Sequence, residues 1–524
     1  MRNTAVALSS AFALLSCATV TPEQTLVERA ITAMGGAERL AAIKTLSFKG
    51  NAKFWEPEQS DVPGGEPRFI VDAPFEGAFD SAGRALRIDW EKNMAYIPRT
   101  FKYSEIVTPT AGYVIGVDSS GRNAQSLKSS PPAHSMSGYR LAAAQRESRR
   151  NAVGPLLLAM RANPEHLKPA MDVVAGGQSY PAVSFDEFIV AFDPASGLPA
   201  RVRSLDYESI WGDIDYDLVL SDWREFGGVK IPMGRKTEAN GRLLIEAAFT
   251  DVRVNPAVDP ARFAAPEAVR ADAVIPATRN VPYQWVLRRQ IVGFYMDSDN
   301  VSYDTRASQG LRLQQVAPGV YQVQGGTHHS LVVEMSDHLI VMDAPITDAQ
   351  SMWLVGATRA QFPGKPIRWL ALTHHHNDHA GGLRGILAEG ATLVVGQGAG
   401  EHFRRVLAAP NTRNPDVPSR SFHMTPILEV PESHVMSDAA GRQVIVYVVD
   451  NPHAKATLMG WIPDAKLGFV TDIWTPGPPL PGKPNPGLVA VVNTVKRAGL
   501  EPERFAGGHG SVGDYRALTR LVGQ

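Results

Sequence analysis

Thr373-His-His-His-Asn-Asp-His-Ala-Gly-Gly382 is the stretch on which the reading of this chain turns. Four of its side chains fall on the spacing His-x-His-x-Asp-His: His374, His376, Asp378 and His379. A packed core has no use for three imidazoles and a carboxylate crowded together, because such groups are costly to bury unpaired. A divalent cation resolves that cost. Neutral imidazole and carboxylate suit zinc, and to a lesser degree iron or manganese. Ahead of the loop, Ile367 to Leu372 is a short, mostly apolar run, as expected of a buried strand. Behind it, after Gly381-Gly382, Leu383 to Glu389 reads as a helix. The loop would then lie at the carboxyl end of a strand, where α/β sheets place their sites. If strand geometry continues, His374 and His376 point to one side and His375 and Asn377 away.

Further donors must come from later in the chain, and 12 of its 14 histidines lie after residue 320. His453 follows the strand-like run Val444 to Val449. Asp472 ends the run that starts at Lys466. His509 sits in Ala506-Gly-Gly-His-Gly510, where glycines let backbone approach a metal or substrate closely. Taken alone, His453 or His509 would be a surface or satisfied core histidine. In this order, behind this loop, the segments resemble the metallo-β-lactamase-fold hydrolases over residues 312–524.

The resemblance implies an αββα sandwich holding two zinc ions per chain. His374, His376 and His453 would bind one ion, Asp378, His379 and His509 the other, and Asp472 would bridge them. It also implies that Asp343, after the run Leu339 to Met342, supports the loop by accepting the second N–H of a ligating histidine. The alternative is a strand-end aspartate capping a turn. His328-His329 either borders the site or opens a strand. His402, His423 and His434 read as surface histidines, with His434 the best outside candidate for a substrate contact.

Two ions about 3.5–4 Å apart share a water and lower its pKa toward about 7. Asp378 would orient the resulting hydroxide and receive its proton, so it is the candidate catalytic residue. Aspartate at the bridging position resembles family hydrolases of esters, lactones, thioesters and phosphoesters, whereas family β-lactamases usually carry Cys or Ser there. The leading expectation is a dinuclear-zinc hydrolase of a small to medium, apolar carbonyl substrate: an ester, lactone or amide. A mononuclear iron dioxygenase on the same fold is one alternative. An envelope lipid-binding lipoprotein with a vestigial metal site is another. The Pro-rich segment Trp474 to Pro486, which cannot be helix or central strand, is a candidate pocket wall.

At 524 residues the chain is too long for one domain. Its net charge of −1 and pI of about 6.9 carry no footprint for nucleic acid. The predicted class is α+β, the sandwich preceded by a curved antiparallel sheet with helices. The expected parts are an export signal at 1–17, a β-rich accessory domain at 23–270, a connector at 271–311 and the catalytic domain at 312–524. In the accessory part, Thr45 to Phe54 and Asp213 to Leu220 alternate apolar and polar residues, so one face is buried and one wet. Asp213, Asp215 and Asp217 read as a solvated strand edge and not a metal site. The segment from Ala30 to Gly50 resembles the periplasmic lipoprotein carriers, which cradle acyl chains in a half-open barrel. A plain packing or positioning domain is the other reading. Oligomeric state is not legible.

Arg2 and the apolar run Ala5 to Leu15 read as an export signal, too short for a membrane span. Leu14-Leu-Ser-Cys17 resembles a bacterial lipoprotein processing site, and Cys17 is the only cysteine. Ordinary cleavage after Ala18 is the rival. Either way the mature protein is expected in the periplasm or anchored to the outer membrane. The Cys17→Ser protein is expected to leave the membrane fraction, or to accumulate as precursor. Identical fractionation of both forms contradicts lipidation.

Overall fold

Alternating strands bury one side and wet the other, so they need a layer of helices on the buried side. The computed structural model describes residues 20–81, 84–96, 98–119, 131–269, 281–297, 310–416 and 425–523. The expected signal with Cys17, most of the expected connector, and His423 lie outside these residues. Among the described residues the first half forms one antiparallel sheet of 13 strands. An interior strand, Thr45–Glu56, pairs with Arg68–Asp80 on one side and Arg242–Val254 on the other, which joins the two halves of the sheet. The helix Pro22–Ala33 starts at Thr21, whose side chain and backbone form a reciprocal capping box with Gln24. That helix and Val153–Ala162 bury Val27, Ile31, Leu157 and Met160 against Val190, Val202 and Leu218 of the sheet.

The expected solvated edge is corrected. Asp213, Asp215 and Asp217 lie on Gly212–Phe226, an interior strand between Pro199–Glu208 and Val229–Ala239. Carboxylates there need partners across the strands. Asp217 accepts from Arg203 Nε at 2.7 Å and Arg201 Nη1 at 3.2 Å. Asp215 accepts from Arg203 at 2.6 Å and Arg413 at 2.9 Å. Asp213 accepts from the Arg413 backbone N–H at 3.0 Å.

The second half is an αββα sandwich. Among the described residues a seven-stranded sheet packs on a six-stranded one. Between them Val320, Leu331, Ile340, Met342 and Val394 share a core with Val444, Leu458 and Phe469. Helices Asp348–Gln361, Leu383–Leu387 and Gly400–Ala408 pack outside the first sheet. Pro486–Arg497 and Tyr515–Val522 pack outside the second. The parallel strands Leu339–Met342, Ile367–Ala371 and Thr392–Gly396 are apolar apart from Arg368 and Thr392, because most of their side chains are buried on both faces. The sandwich opens with a hairpin, Arg312–Ala317 and Val320–Gln324, turning at Pro318-Gly319. No helix among the described residues is long and apolar enough to cross a membrane.

Within the expected connector, Tyr283–Ile291 forms a short helix that is largely buried. Its Arg288 donates to Glu58 Oε1 at 2.8 Å and to Glu56 Oε1, and all three side chains are almost fully enclosed. Removing one member of such a cluster strands the others without water or counter-charge. Arg288→Met is therefore expected to cost about 3–5 kcal/mol of stability, read by urea unfolding. A loss below about 1 kcal/mol, the size of an exposed ion pair, contradicts this role for Arg288.

Candidate metal centre

The strand ends of the sandwich converge on one rim. Ile367–Ala371 leads into His374, His376, Asp378 and His379, and Leu339–Met342 leads into Asp343. Gln443–Val449 leads into His453, Leu467–Val470 into Asp472, and Arg504–Gly507 into His509. The chain turns sharply at two of these ends: Asp343 has φ +61° and Asp472 φ +60°. Aspartate tolerates this left-handed region better than most residues. Gly381 and Gly508 permit close approach. A Cβ on Gly381 would meet Ile346 O at 2.1 Å, and one on Gly508 would meet Thr471 Oγ1 at 2.7 Å.

All seven residues singled out as ligands come together, in two groups. His374, His376, His453 and Asp472 form one, and Asp378, His379 and His509 form the other with His328. In the first, His374 Nε2 and His376 Nδ1 are 3.0 Å apart, and His453 Nε2 is 3.2 and 3.0 Å from them. Asp472 spans the groups. Its Oδ2 lies 3.2 Å from His374 Nε2 and 2.9 Å from His453 Nε2. Its Oδ1 lies 3.3 Å from His379 Nε2 and 2.7 Å from His509 Nε2.

The outward hydrogen bonds decide which nitrogens carry lone pairs. His376 Nε2 donates to Ser60 O at 2.9 Å, so its Nδ1 faces inward bare. Thr373 Oγ1 donates to Asp343 Oδ2 at 2.9 Å, so it accepts from His374 Nδ1 at 3.2 Å, and His374 Nε2 is also bare. Two lone pairs 3.0 Å apart repel unless a cation lies between them. The spacing is near the ~3.3 Å edge of a tetrahedron with zinc–nitrogen bonds of about 2.0–2.1 Å. In the second group His509 Nδ1 donates to Thr327 O at 3.2 Å, leaving its Nε2 bare toward Asp472. His328 Nε2 is buried without a hydrogen-bond partner, 3.4 Å from Asp378 Oδ2. The donor set thus fits metal ions at both groups.

Electrostatics agree with the donor geometry. Burial holds His374 and His376 below their ordinary range, and the neighbouring imidazoles lower His376 further. Burial and His509 bring His328 down to about 3. For His379 burial acts the same way, but Asp472 and Asp343 outweigh it and raise that imidazole well above its usual value. Burial would raise Asp378 and Asp472; their histidine neighbours overcome it and keep both well below the usual carboxylate range. Two ionised carboxylates in a buried pocket call for positive charge.

Asp343 accepts from His379 Nδ1 at 3.0 Å and from the Thr373 backbone N–H at 2.7 Å. His375 turns away from the cluster, its Nε2 bonding Ser60 O at 3.0 Å. Several contacts were not foreseen, because they cross from the first sheet. Gln59 Nε2 donates to Asp378 Oδ1 at 3.0 Å, and Tyr96 Oη lies 2.6 Å from His453 Nδ1. Glu208, raised well above its usual range by burial and by Glu58, accepts from Asn377 Nδ2 at 3.1 Å. The one local sign of His328 was its place after Gly325-Gly326 near a strand start. Three expectations are corrected. His402 is buried, 4% exposed, next to Phe403 and His375, so it is not a surface histidine. His434 lies against Trp369, 5.9 Å between centroids, with no ring contact to the histidine cluster. Trp474 is packed in a core with Phe505 and Leu488 and is no pocket wall, although the run after it is irregular as expected.

Residues 323–509 match the family model of the metallo-beta-lactamase superfamily. The alkyl/aryl-sulfatase BDS1 of Saccharomyces cerevisiae is 32% identical over 78 residues, 15% of this chain and 12% of that protein. The chain thus spans about an eighth of the length of this curated relative. A metallo-beta-lactamase from Pontibacter korlensis shares 15% identity over 41% of this chain and 97% of its own, with a TM-score of 0.32. The rubredoxin oxygen:oxidoreductase of Desulfovibrio gigas shares 14% over 40% and 61%, also at 0.32. The metallo-beta-lactamase FIM-1 from Pseudomonas aeruginosa shares 16% over 41% and 95%, at 0.30.

Asp343→Asn keeps the shape but weakens the acceptor that fixes His379. It is expected to lower metal affinity about 10–100-fold in a chelator competition, with the fold retained. Unchanged affinity would make Asp343 a simple turn residue.

Proposed function

With a metallo-β-lactamase-superfamily domain in the carboxyl-terminal half as premise, we propose that the protein is a dinuclear-zinc hydrolase. Its substrate on this reading is a small to medium, apolar carbonyl compound: an ester, lactone or amide. The observation that carries the proposal is Asp472, whose two oxygens face two separate sets of imidazoles. One carboxylate so placed spaces two cations and keeps them in register.

His374, His376 and His453 would hold one ion, and Asp378, His379 and His509, with His328 beside them, the other. When bound, two divalent ions lower the pKa of a shared water and polarise the carbonyl oxygen of the substrate. The remaining work falls to the side chains. Asp378 orients the attacking water and accepts its proton; Gln59 fixes one of its oxygens at 3.0 Å. Ser60 O and Tyr96 lock the ring orientations of His376 and His453. Asp343 keeps His379 directed at Asp472. The stretch shared with the yeast sulfatase is a reason to include sulfate esters among the substrates tested. Export and anchoring through Cys17 belong to the same proposal and place the reaction outside the cytoplasm.

The test is elemental analysis of the purified protein together with a substrate panel in isotopically labelled water. The expected result is about two zinc ions per chain, chelator-sensitive turnover restored by zinc, and label in the product. Asp472→Ala should lower occupancy and reduce the rate by orders of magnitude. One tightly held iron with oxygen consumption would establish the dioxygenase reading instead. A trapped covalent acyl-enzyme would overturn direct attack by water.

A further inference from the structure

A chamber of about 330 Å³ lies within the first sheet and is lined by none of the proposed metal ligands. That volume falls at the lower end of the ~300–1,000 Å³ typical of small-molecule sites. Its walls are apolar, built from Phe48, Phe75, Trp90, Leu218, Phe249 and Leu287. The rings cluster: Phe75 lies edge-to-face 5.4 Å from Phe249 and tilted 5.3 Å from Trp90, and Phe48 lies edge-to-face 5.6 Å from Phe249.

One enclosed cation in this wall lacks a counter-charge. Arg235 Nη1 donates to Asn151 O at 3.1 Å and Asn151 Oδ1 at 2.8 Å. Its Nε is buried with no partner, and the guanidinium carbon sits 4.7 Å from the Phe249 ring centre. Among the described residues it forms no ion pair. The nearest acid, Glu147, is taken by Arg150 at 2.9 Å and by Asn151 Nδ2 at 2.7 Å. The other buried charged groups of the wall are matched, and Lys230 at its edge is exposed to solvent. Glu105 accepts from Arg140 at 2.8 Å and from Trp90 Nε1 at 3.0 Å, and Arg140 also pairs with Asp118 at 2.7 Å. Burial pulls Arg235 down to about 10, which still leaves it charged at neutral pH. An apolar chamber with one fixed, unmatched positive charge recognises a molecule with an apolar tail and one negative head.

We propose that this chamber binds a single medium-chain carboxylate, its tail among the aromatic rings and its head on Arg235. At about 30 Å³ per heavy atom, the share of a water molecule in the liquid, the space matches roughly eleven, close to the size of decanoate. The site is distinct from the proposed hydrolytic centre, although one segment links them. It runs from Phe54, on the chamber wall, to Gln59 and Ser60 at the metal loop.

The experiment is calorimetric titration of the full-length protein with decanoate and, in parallel, with decyltrimethylammonium, which has the same tail and the opposite charge. Saturable one-to-one binding of decanoate and none of the cation is expected. Arg235→Gln should weaken decanoate about tenfold or more, the scale of a lost charged hydrogen bond. Ala247→Phe, placed opposite Arg235 across the strand pair and into the chamber, should weaken it at least as much. A photoreactive decanoate on the unaltered protein should label peptides carrying Phe75 or Trp90, a readout that does not depend on any variant folding. No decanoate binding, equal binding of the cation, wild-type affinity in both variants, or label confined to other peptides would overturn the proposal.

Discussion

Bare nitrogen lone pairs cannot be packed against one another in a buried pocket without a cation between them. His374 and His376 are forced into that arrangement by Thr373 and Ser60, which take up the N–H of each ring on its outer side. The same constraint explains the rest of the rim. Strand ends are aligned to deliver seven donors. Two aspartates occupy left-handed backbone, and two glycines stand where a Cβ would push neighbouring loops apart. These features cost stability locally, and they fit a site whose binding energy for its ions offsets the cost.

The first sheet is part of this arrangement. It meets the metal loop through Gln59, Ser60, Tyr96 and Glu208. The turn carrying Gln59 and Ser60 is anchored in turn by the buried Glu56–Arg288–Glu58 cluster. Outer partners of this kind set the tautomer and direction of metal-ligating rings. Function proposed for the carboxyl-terminal sandwich therefore depends on residues that precede it by hundreds of positions.

Much of the sandwich was legible in the sequence because its signals are local. The His-x-His-x-Asp-His spacing, the apolar runs of doubly buried strands and the glycines around His509 each declare themselves within a few residues. The αββα class and the set of seven proposed donors followed from the family resemblance that those signals carry. What sequence did not reveal depends on distant pairing. Nothing near Asp213 says that its strand is interior, because the arginines that neutralise the row come from another strand and from Arg413. Nothing near His402 says that it is buried. His328 gave only an ambiguous hint, and the first sheet's contacts to the loop gave none.

The central claim is that two ions sit in this rim, one on each side of Asp472. Anomalous X-ray diffraction at the zinc edge, on crystals of the zinc-loaded protein, tests it most directly. The account predicts two peaks about 3.5–4 Å apart, one among His374, His376 and His453 and the other among Asp378, His379, His509 and His328, with the Asp472 carboxylate between them. A single peak, or peaks bound by other residues, would contradict it.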